Sequence, residues 1–325
     1  MTPFWGALVA SAVLTGMAIP LLRRAALLDR PNHRSSHVTP VPRGGGAAVM
    51  VAVVAGTALG GRSDVWPVVV AALLLATVGL ADDLRSLSPV LRLTAQLVVG
   101  AGLCGWFVVT GDPDGSTGAV ALVIGAVGFA AFDNAFNFMD GINGISAMNA
   151  AVSGAWFAWL GHRHDLPGLT LIGLVVAGSA LGFLPWNAAS RVFLGDVGSY
   201  GIGALVAGSA ILAWVGGVPV PLAVASLLVY LADTSWVIIS RARAGKALFE
   251  AHREHAYQRL VQAGWPQLAT AVWTAGVSCA VVSVVGWLWP ESKGLAVVLT
   301  SVLLLAYLAA PRVVESRSRE SVPAV

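Results

Sequence analysis

Fourteen consecutive residues concentrate the polar chemistry of this chain: Phe132-Asp133-Asn134-Ala135-Phe136-Asn137-Phe138-Met139-Asp140-Gly141-Ile142-Asn143-Gly144-Ile145. Apolar runs flank them on both sides, yet they hold two carboxylates, three amides and two glycines. Groups of this kind are costly at membrane depth and are usually retained there for a site. Oxygen ligands beside glycines suit a hard divalent cation and the close approach of a phosphate. The stretch therefore reads as the floor of a phosphate-handling site at a membrane surface, with a plain polar loop between two helices as the alternative.

Further clusters offer related chemistry. The segment from Asp29 to Gly46 contains Arg30, His33, Arg34, His37, Arg43, three prolines and a glycine triplet that opens a helix. Backbone N–H groups at such a start can hold an anion, or the loop can rest on anionic lipid. The adjacent Asp82 and Asp83 repel each other at a membrane boundary, which a cation or a basic partner would explain. A solvated helix end is the alternative. In Gly195-Asp196-Val197-Gly198-Ser199 one carboxylate stands between glycines at a helix start, as a metal ligand with backbone near phosphate oxygens would, or as an ordinary N-cap. Between Arg241 and Leu260, a helical reading puts His252 and His255 on one face with Arg259 one turn on. That spacing is not the zinc-protease one. It favours a cationic, hydrogen-bonding face toward pyrophosphate, or an amphipathic interfacial helix. Asp233 sits within an apolar run, where a structural pair with a nearby arginine and a catalytic task are equally open. It stays outside the catalytic set.

The elements that must position these groups are membrane spans. Hydrophobic residues make up 57% of 325 and charged residues 11%, with mean hydropathy +0.80 and twelve Trp to anchor interfaces. Soluble domains carry about 25% charged residues. Runs of spanning length fall near 4–22, 44–60, 65–81, 92–110, 117–133, 145–161, 168–186, 198–215, 219–240, 267–289 and 294–310, which predicts an all-α polytopic protein with about eleven transmembrane helices. The first run has no basic residue before it and Arg23-Arg24 after it, the reverse of a cleaved signal peptide, so the N-terminus is expected outside. On that topology only Arg62, Arg163 and Lys293 of the 19 Lys and Arg fall outside. Such asymmetry is what cytoplasmic loops should show. All the clusters then share the cytoplasmic face, at helix ends; transporters tend to place polar groups near the midplane. His162, His164 and the acidic residues Asp64, Asp112, Asp114 and Asp165 are left outside with no assembled chemistry. Cys104 and Cys279 give neither a disulfide framework nor metal spacing. Residues 1–310 form one transmembrane domain, and 311–325 are expected to be a disordered cytoplasmic tail.

In this order, the segments resemble the polyprenyl-phosphate N-acetylhexosamine-1-phosphate transferases, glycosyltransferase family 4. The resemblance rests on Asp29-x-Pro-Asn32, Pro40-x-Pro-Arg-Gly-Gly45, Asp82-Asp83, Asn134-x-x-Asn137-x-x-Asp140-Gly141-x-Asn143-Gly144, Gly195-Asp196-x-Gly198-Ser199 and the histidine loop. It implies transfer of a sugar 1-phosphate from a UDP-N-acetylhexosamine to undecaprenyl phosphate, with UMP released, at a bacterial inner membrane. It further implies Mg2+, with Mn2+ as substitute, on Asp196 with Asn137 or Asp140. Asp82 and Asp83 would handle the lipid phosphate, Asn143 the uracil, Arg92 a phosphate, and His252 and His255 the donor pyrophosphate. Arg253, Asn134 and Gly141 complete the substrate-facing set, and Asp140 joins the catalytic one. Two departures stand out: Asn143 where Asp is commoner, and His252-Arg253-Glu254-His255 in place of a histidine triplet. The loop is closer to the branch that initiates O-antigen and capsule chains of lipopolysaccharide and related glycans. Muramoyl-pentapeptide transfer and a lipid-linked sugar transporter without chemistry remain the alternatives. The resemblance also implies lipid contact and a homodimer, with no nucleic-acid partner.

Overall fold

The computed structural model describes residues 1–29, 40–111, 115–247 and 252–320. His33, His37 and most of the first polar loop, as well as Asp112 and Asp114, lie outside them. Thirteen α-helices follow in order: α1 (Thr2–Arg24), α2 (Gly46–Gly60), α3 (Trp66–Arg85), α4 (Pro89–Gly111), α5 (Gly115–Met139), α6 (Ile145–Arg163), α7 (Pro167–Ala188), α8 (Asp196–Val215), α9 (Val220–Val224), α10 (Leu228–Arg243), α11 (Ala256–Gln262), α12 (Gln267–Leu288) and α13 (Lys293–Glu320). The strands β1 (Leu28–Asp29) and β2 (Val41–Pro42) form one antiparallel ribbon. Long apolar runs become helices here because lipid offers no partner for a free backbone N–H or C=O. The chain is an all-α polytopic membrane protein.

Each of the eleven expected spans has a helical counterpart, and among the described residues nine are long and apolar enough to cross a membrane. Two differ from expectation. At 15 residues, α2 reaches only about 22 Å, less than the ~30 Å hydrocarbon layer. The other, α6, has the length but not the hydropathy, since it carries Asn149, Ser153, His162 and Arg163. One crossing, Val220–Arg243, is divided into α9, a 3-10 turn at Ala225–Leu227 and α10.

The centre of the bundle is α8, 89% of whose spanning window is buried, whereas α1 has 17% and α13 22% buried and lie at the edge. Around α8 pack α3, α5, α2 and α6, while α7 is gripped by α1 and α6. Helices meet closely through small residues, as expected where lipid removes the hydrophobic drive for association: a Cβ on Gly173 of α7 would lie 2.3 Å from the backbone of Ala158 in α6. The tail differs from expectation too. Instead of ending at 310, α13 continues to Glu320, and Glu315 holds the Arg259 guanidinium at 3.0 and 2.7 Å.

Candidate active site

Most of the polar segments singled out above meet at one end of the bundle, where α3 ends and α8 begins. These two helices touch backbone to backbone: a Cβ on Gly79 would lie 2.1 Å from the Asp196 carbonyl oxygen. One turn beyond that contact the two adjacent carboxylates part. Asp83 turns to α8 and accepts the N–H groups of Asp196 and Val197 at 3.0 and 3.1 Å, capping that helix from outside its own chain segment. Asp82 turns the other way and accepts Leu87 N–H at 2.7 Å, Arg92 Nη1 at 2.9 Å and the Tyr200 hydroxyl at 3.3 Å. Each carboxylate thus has a basic partner, as their adjacency leads one to expect, and the alternative of a solvated helix end falls away.

The partner of Asp83 is Arg43, delivered by the Pro-x-Pro-Arg-Gly-Gly segment. Phe193 N–H donates to the Pro42 carbonyl at 2.8 Å, and Gly45 and Gly46 N–H donate to Phe193 and Leu194 at 2.9 and 2.8 Å. The glycines make this possible, since a Cβ on Gly46 would lie 2.1 Å from the Gly198 Cα. So placed, Arg43 bridges two acids, with Nε 2.7 Å from Asp83 and Nη2 2.9 Å from Asp196. Burial opposes its charge, but Asp196, Asp83 and Asp29 together hold its pKa above the ordinary range. Two expectations are corrected here. The N–H groups of Gly45 and Gly46 are spent on Phe193 and Leu194, and those of Asp196 and Val197 on Asp83, so these four are not free for a phosphate.

The floor comes from α5. Asn137 donates to Asp196 Oδ1 at 3.0 Å and to Ser199 Oγ at 2.8 Å. Asn134 turns instead toward α4, donating to Gln96 Oε1 and to the Ala130 carbonyl, while Gln96 donates to the fully buried Asp133 at 2.9 Å. Just past the end of α5 stands Asp140. Burial pushes its carboxyl up to about 7, Asp196 and Asp83 add to the rise, and Ser146 and Arg43 oppose it. The turn that follows is fixed from three sides: Asn143 N–H to Gln267 at 3.2 Å, Asn143 Nδ2 to Ser190 at 2.6 Å, and Gly144 N–H to Asn187 at 2.7 Å. Gly144 needs its positive φ of 84° there.

The histidine loop closes the other side. Tyr257 donates to the Phe138 carbonyl at 3.0 Å, and its hydroxyl would lie 2.1 Å from a Cβ on Gly141, so α11 is seated directly on the floor segment. His252 and His255 do come together, with ring centroids 5.1 Å apart, but not as part of a helix. They precede α11, whose N-cap is His255 with extended backbone, and Gln258 accepts the His255 N–H at 3.2 Å. Arg259 points away, to Glu315. The expected cationic character also changes: burial, then His255 and Arg241, press the His252 pKa down to about 4, so this imidazole is neutral at pH 7. Its Nδ1 is buried without a partner among the described residues. Half-buried Arg253 has no ion pair among the described residues, and its carbonyl accepts from Gln262 at 3.0 Å. Asp233 is paired with His255, not with an arginine; Arg241 goes to Glu254 at 2.7 Å.

What could such a site hold? Among the described residues no three His, Cys, Asp or Glu side chains form a metal cage. A magnesium-like ion needs only one or two carboxylates when substrate phosphates supply other oxygens. Asp196 and Asp140 fit that demand. Asp140 is a carboxyl raised chiefly by burial and further by its acidic neighbours, and Asp196 already draws a cationic guanidinium. Sequence reasoning missed Arg43 as a site residue, along with Tyr200, Gln96 and Asn187. Only the Pro-x-Pro-Arg-Gly-Gly string signalled any of them.

With this geometry in place, comparison with known proteins is informative. A sequence model described as Glycosyl transferase family 4 matches residues 65–214. The chain is 29% identical over 295 residues to a decaprenyl-phosphate N-acetylglucosaminephosphotransferase of Mycobacterium leprae, covering 77% of this chain and 74% of that one. It is likewise 29% identical to a phospho-N-acetylmuramoyl-pentapeptide-transferase of a Synechococcus strain, covering 88% and 91%. To a chain of Streptomyces coelicolor named as a glycosyltransferase it is 33% identical, covering 84% and 67%.

Proposed function

The chain belongs to glycosyl transferase family 4, the polyprenyl-phosphate hexosamine-1-phosphate transferases, and from that premise we propose that it moves an N-acetylhexosamine 1-phosphate from a UDP-sugar to undecaprenyl phosphate. The product is an undecaprenyl-diphosphate sugar that starts a cell-surface glycan, and UMP leaves. The observation that carries this reading is the meeting of Arg43, Asp82, Asp83, Asp140 and Asp196 with the histidine loop at one end of a membrane bundle. A lipid phosphate in the bilayer and a nucleotide sugar from the cytoplasm could meet there.

An acceptor oxygen attacks the β-phosphorus, a new P–O bond forms, and the bond to the bridging oxygen of UMP breaks. Both reactants are anionic, so positioning and charge neutralisation carry most of the catalysis. A phosphomonoester has its second pKa near 6, and the acceptor therefore arrives largely dianionic without needing a strong base. Direct attack follows, and trapping a phospho-enzyme with UDP-sugar alone would contradict it. A magnesium ion held by Asp196 and Asp140, with the Asn137 amide beside them, would neutralise pyrophosphate charge as a Lewis acid.

Each side chain has a share in this. Arg43, shared between Asp83 and Asp196, supplies positive charge next to the reacting phosphates. Arg92, steered by Asp82 and Tyr200, offers its remaining N–H groups to the acceptor phosphate at the membrane surface. Neutral His252 contributes hydrogen bonds to the donor side, and Asn143, at the rim with Ser190, faces the base. The test is UMP release by purified protein with a panel of UDP-N-acetylhexosamines, with and without undecaprenyl phosphate and Mg2+. Release that requires all three supports the proposal; none with any donor overturns it. The Synechococcus relative keeps a muramoyl-pentapeptide donor as the second reading, and the same panel decides between them.

A further inference from the structure

Asp233 lies in α10, within a membrane-spanning segment, and is fully buried. A carboxylate there is expensive unless its oxygens are well supplied with donors. This one has three donors, from two separate parts of the chain. His255 Nδ1 is 3.2 Å from Oδ1, Ala256 N–H lies 3.1 Å from both oxygens, and the Tyr307 hydroxyl of α13 donates to Oδ2 at 3.0 Å. Because the carboxylate only accepts, the proton of a neutral His255 ring must sit on Nδ1. The ring stacks on Tyr257, at 5.9 Å between centroids, and lies at a tilt against His252, at 5.1 Å. Phe138 of the site floor lies 6.3 Å away. His255 Nε2 has no hydrogen bond among the described residues, nor is it one of the side-chain atoms sealed from solvent without a partner.

We infer that Asp233 is a positioning residue of the transferase: it fixes the tautomer and orientation of His255 so that the unprotonated Nε2 is presented as a hydrogen-bond acceptor to a hydroxyl or amide N–H of the nucleotide sugar. The inference rests on the function proposed above. The carboxylate sets the Nδ1 proton, Ala256 N–H fixes the start of α11 to the same oxygens, and Tyr307 ties this arrangement to the last helix. His252 packs against His255, their ring planes tilted 33° from each other. The chemistry resembles the outer carboxylates that orient histidine ligands and bases elsewhere, whose loss typically costs 10–100-fold.

The experiment compares Asp233→Asn, His255→Gln and the double variant in the full-length protein, measuring kinetics against UDP-sugar and polyprenyl phosphate separately. Asp233→Asn should lower kcat/KM for the UDP-sugar by about 10- to 100-fold, with the KM for the lipid unchanged. In the His255→Gln background the same substitution should add almost nothing, because the two act as a unit. Equal losses in both backgrounds, or a lipid KM that moves as much as the donor term, would overturn the inference. Should Asp233→Asn fold poorly, Tyr307→Phe leaves the carboxylate in place and removes one anchor. It should cost about two- to fivefold on the donor term, and nothing once His255 is gone. A wild-type protein that transfers nothing overturns the proposed function and leaves the pair to be read by 15N-histidine NMR. That spectrum should show a His255 ring protonated at Nδ1 in wild type and a changed tautomer ratio in Asp233→Asn. An unchanged ratio would sink the positioning role on its own.

Discussion

The acidic and histidine sides of the site solve the same problem in different ways. On the acidic side, carboxylates outnumber cations, and the side chains are partly open: Arg43 is 38% and Asp196 20% exposed. Charge there is shared among neighbours and is available to a ligand. On the histidine side, the carboxylate that holds His255, Asp233, is sealed and its donors come from the protein itself. The first arrangement suits groups that must meet phosphate and a cation, the second a group that only has to hold another in place. Substitutions on the open side should therefore strike transfer, and those on the sealed side should strike one substrate's parameters or the fold.

The largest effect is expected at Asp196. Asp196→Ala should reduce transfer by about 10^3-fold or more, with unchanged expression and size-exclusion behaviour in detergent; near wild-type turnover would remove it from the metal role. Next comes Arg43. Arg43→Ala leaves Asp83 and Asp196 facing each other and should cost about 100-fold in turnover. Arg43→Lys should recover only part of that, because a point charge does not reproduce a planar fork spanning two acids. Full recovery by lysine would mean that the charge alone matters.

The adjacent pair Asp82 and Asp83 sharpens the contrast further. Asp83→Asn weakens an N-cap and should lower thermal stability by about 1 kcal/mol, which a melting curve in detergent would register. Asp82→Asn loosens Arg92 and should instead raise the KM for polyprenyl phosphate several-fold. Identical profiles for the two would erase the division of labour. The smallest effect concerns His252. Its folded pKa, near 4, is below the ordinary 6.5. The stability tied to its neutral form is therefore complete above pH 6.5 and is lost as pH falls toward 4. Since this ring is partly exposed, the loss should stay under about 1 kcal/mol. His252→Gln should flatten the melting temperature across that window, and an unchanged slope would mean the ring is not in the pocket described.

Much of this was legible in the sequence because lipid imposes strict rules. Hydropathy located a helical counterpart for all eleven expected spans, though α2 is too short for a simple crossing and α6 too polar. Asp82, Asp83, Asn137, Asp140 and Asp196 stood out as carboxylates and amides beside glycines at helix ends, and they do converge. Arg43 did not stand out, because its partners and the Phe193 backbone that positions it are far away in the chain. For Asp233 the sequence leaves an arginine pair and a catalytic task equally open, because a helical pattern across the histidine loop hides the turn that brings His255 back to it. The glycines of 44–46 and 195–198 suggest phosphate cradles, or a lipid-facing loop and an ordinary N-cap, whereas Gly46 and Gly198 let two backbones touch.

The claim on which the rest depends is that the acidic and histidine sides share one face. In a variant whose Cys104 and Cys279 are replaced, single cysteines at Ser86, Ala189, Lys246 and His162 can be treated with a membrane-impermeant thiol reagent in vesicles of known orientation. The first three are exposed at the site end and His162 at the other. Ser86→Cys, Ala189→Cys and Lys246→Cys should label from one side and His162→Cys from the opposite one. Labelling of Lys246→Cys from the side opposite Ser86→Cys would separate the two halves by a bilayer and contradict the account.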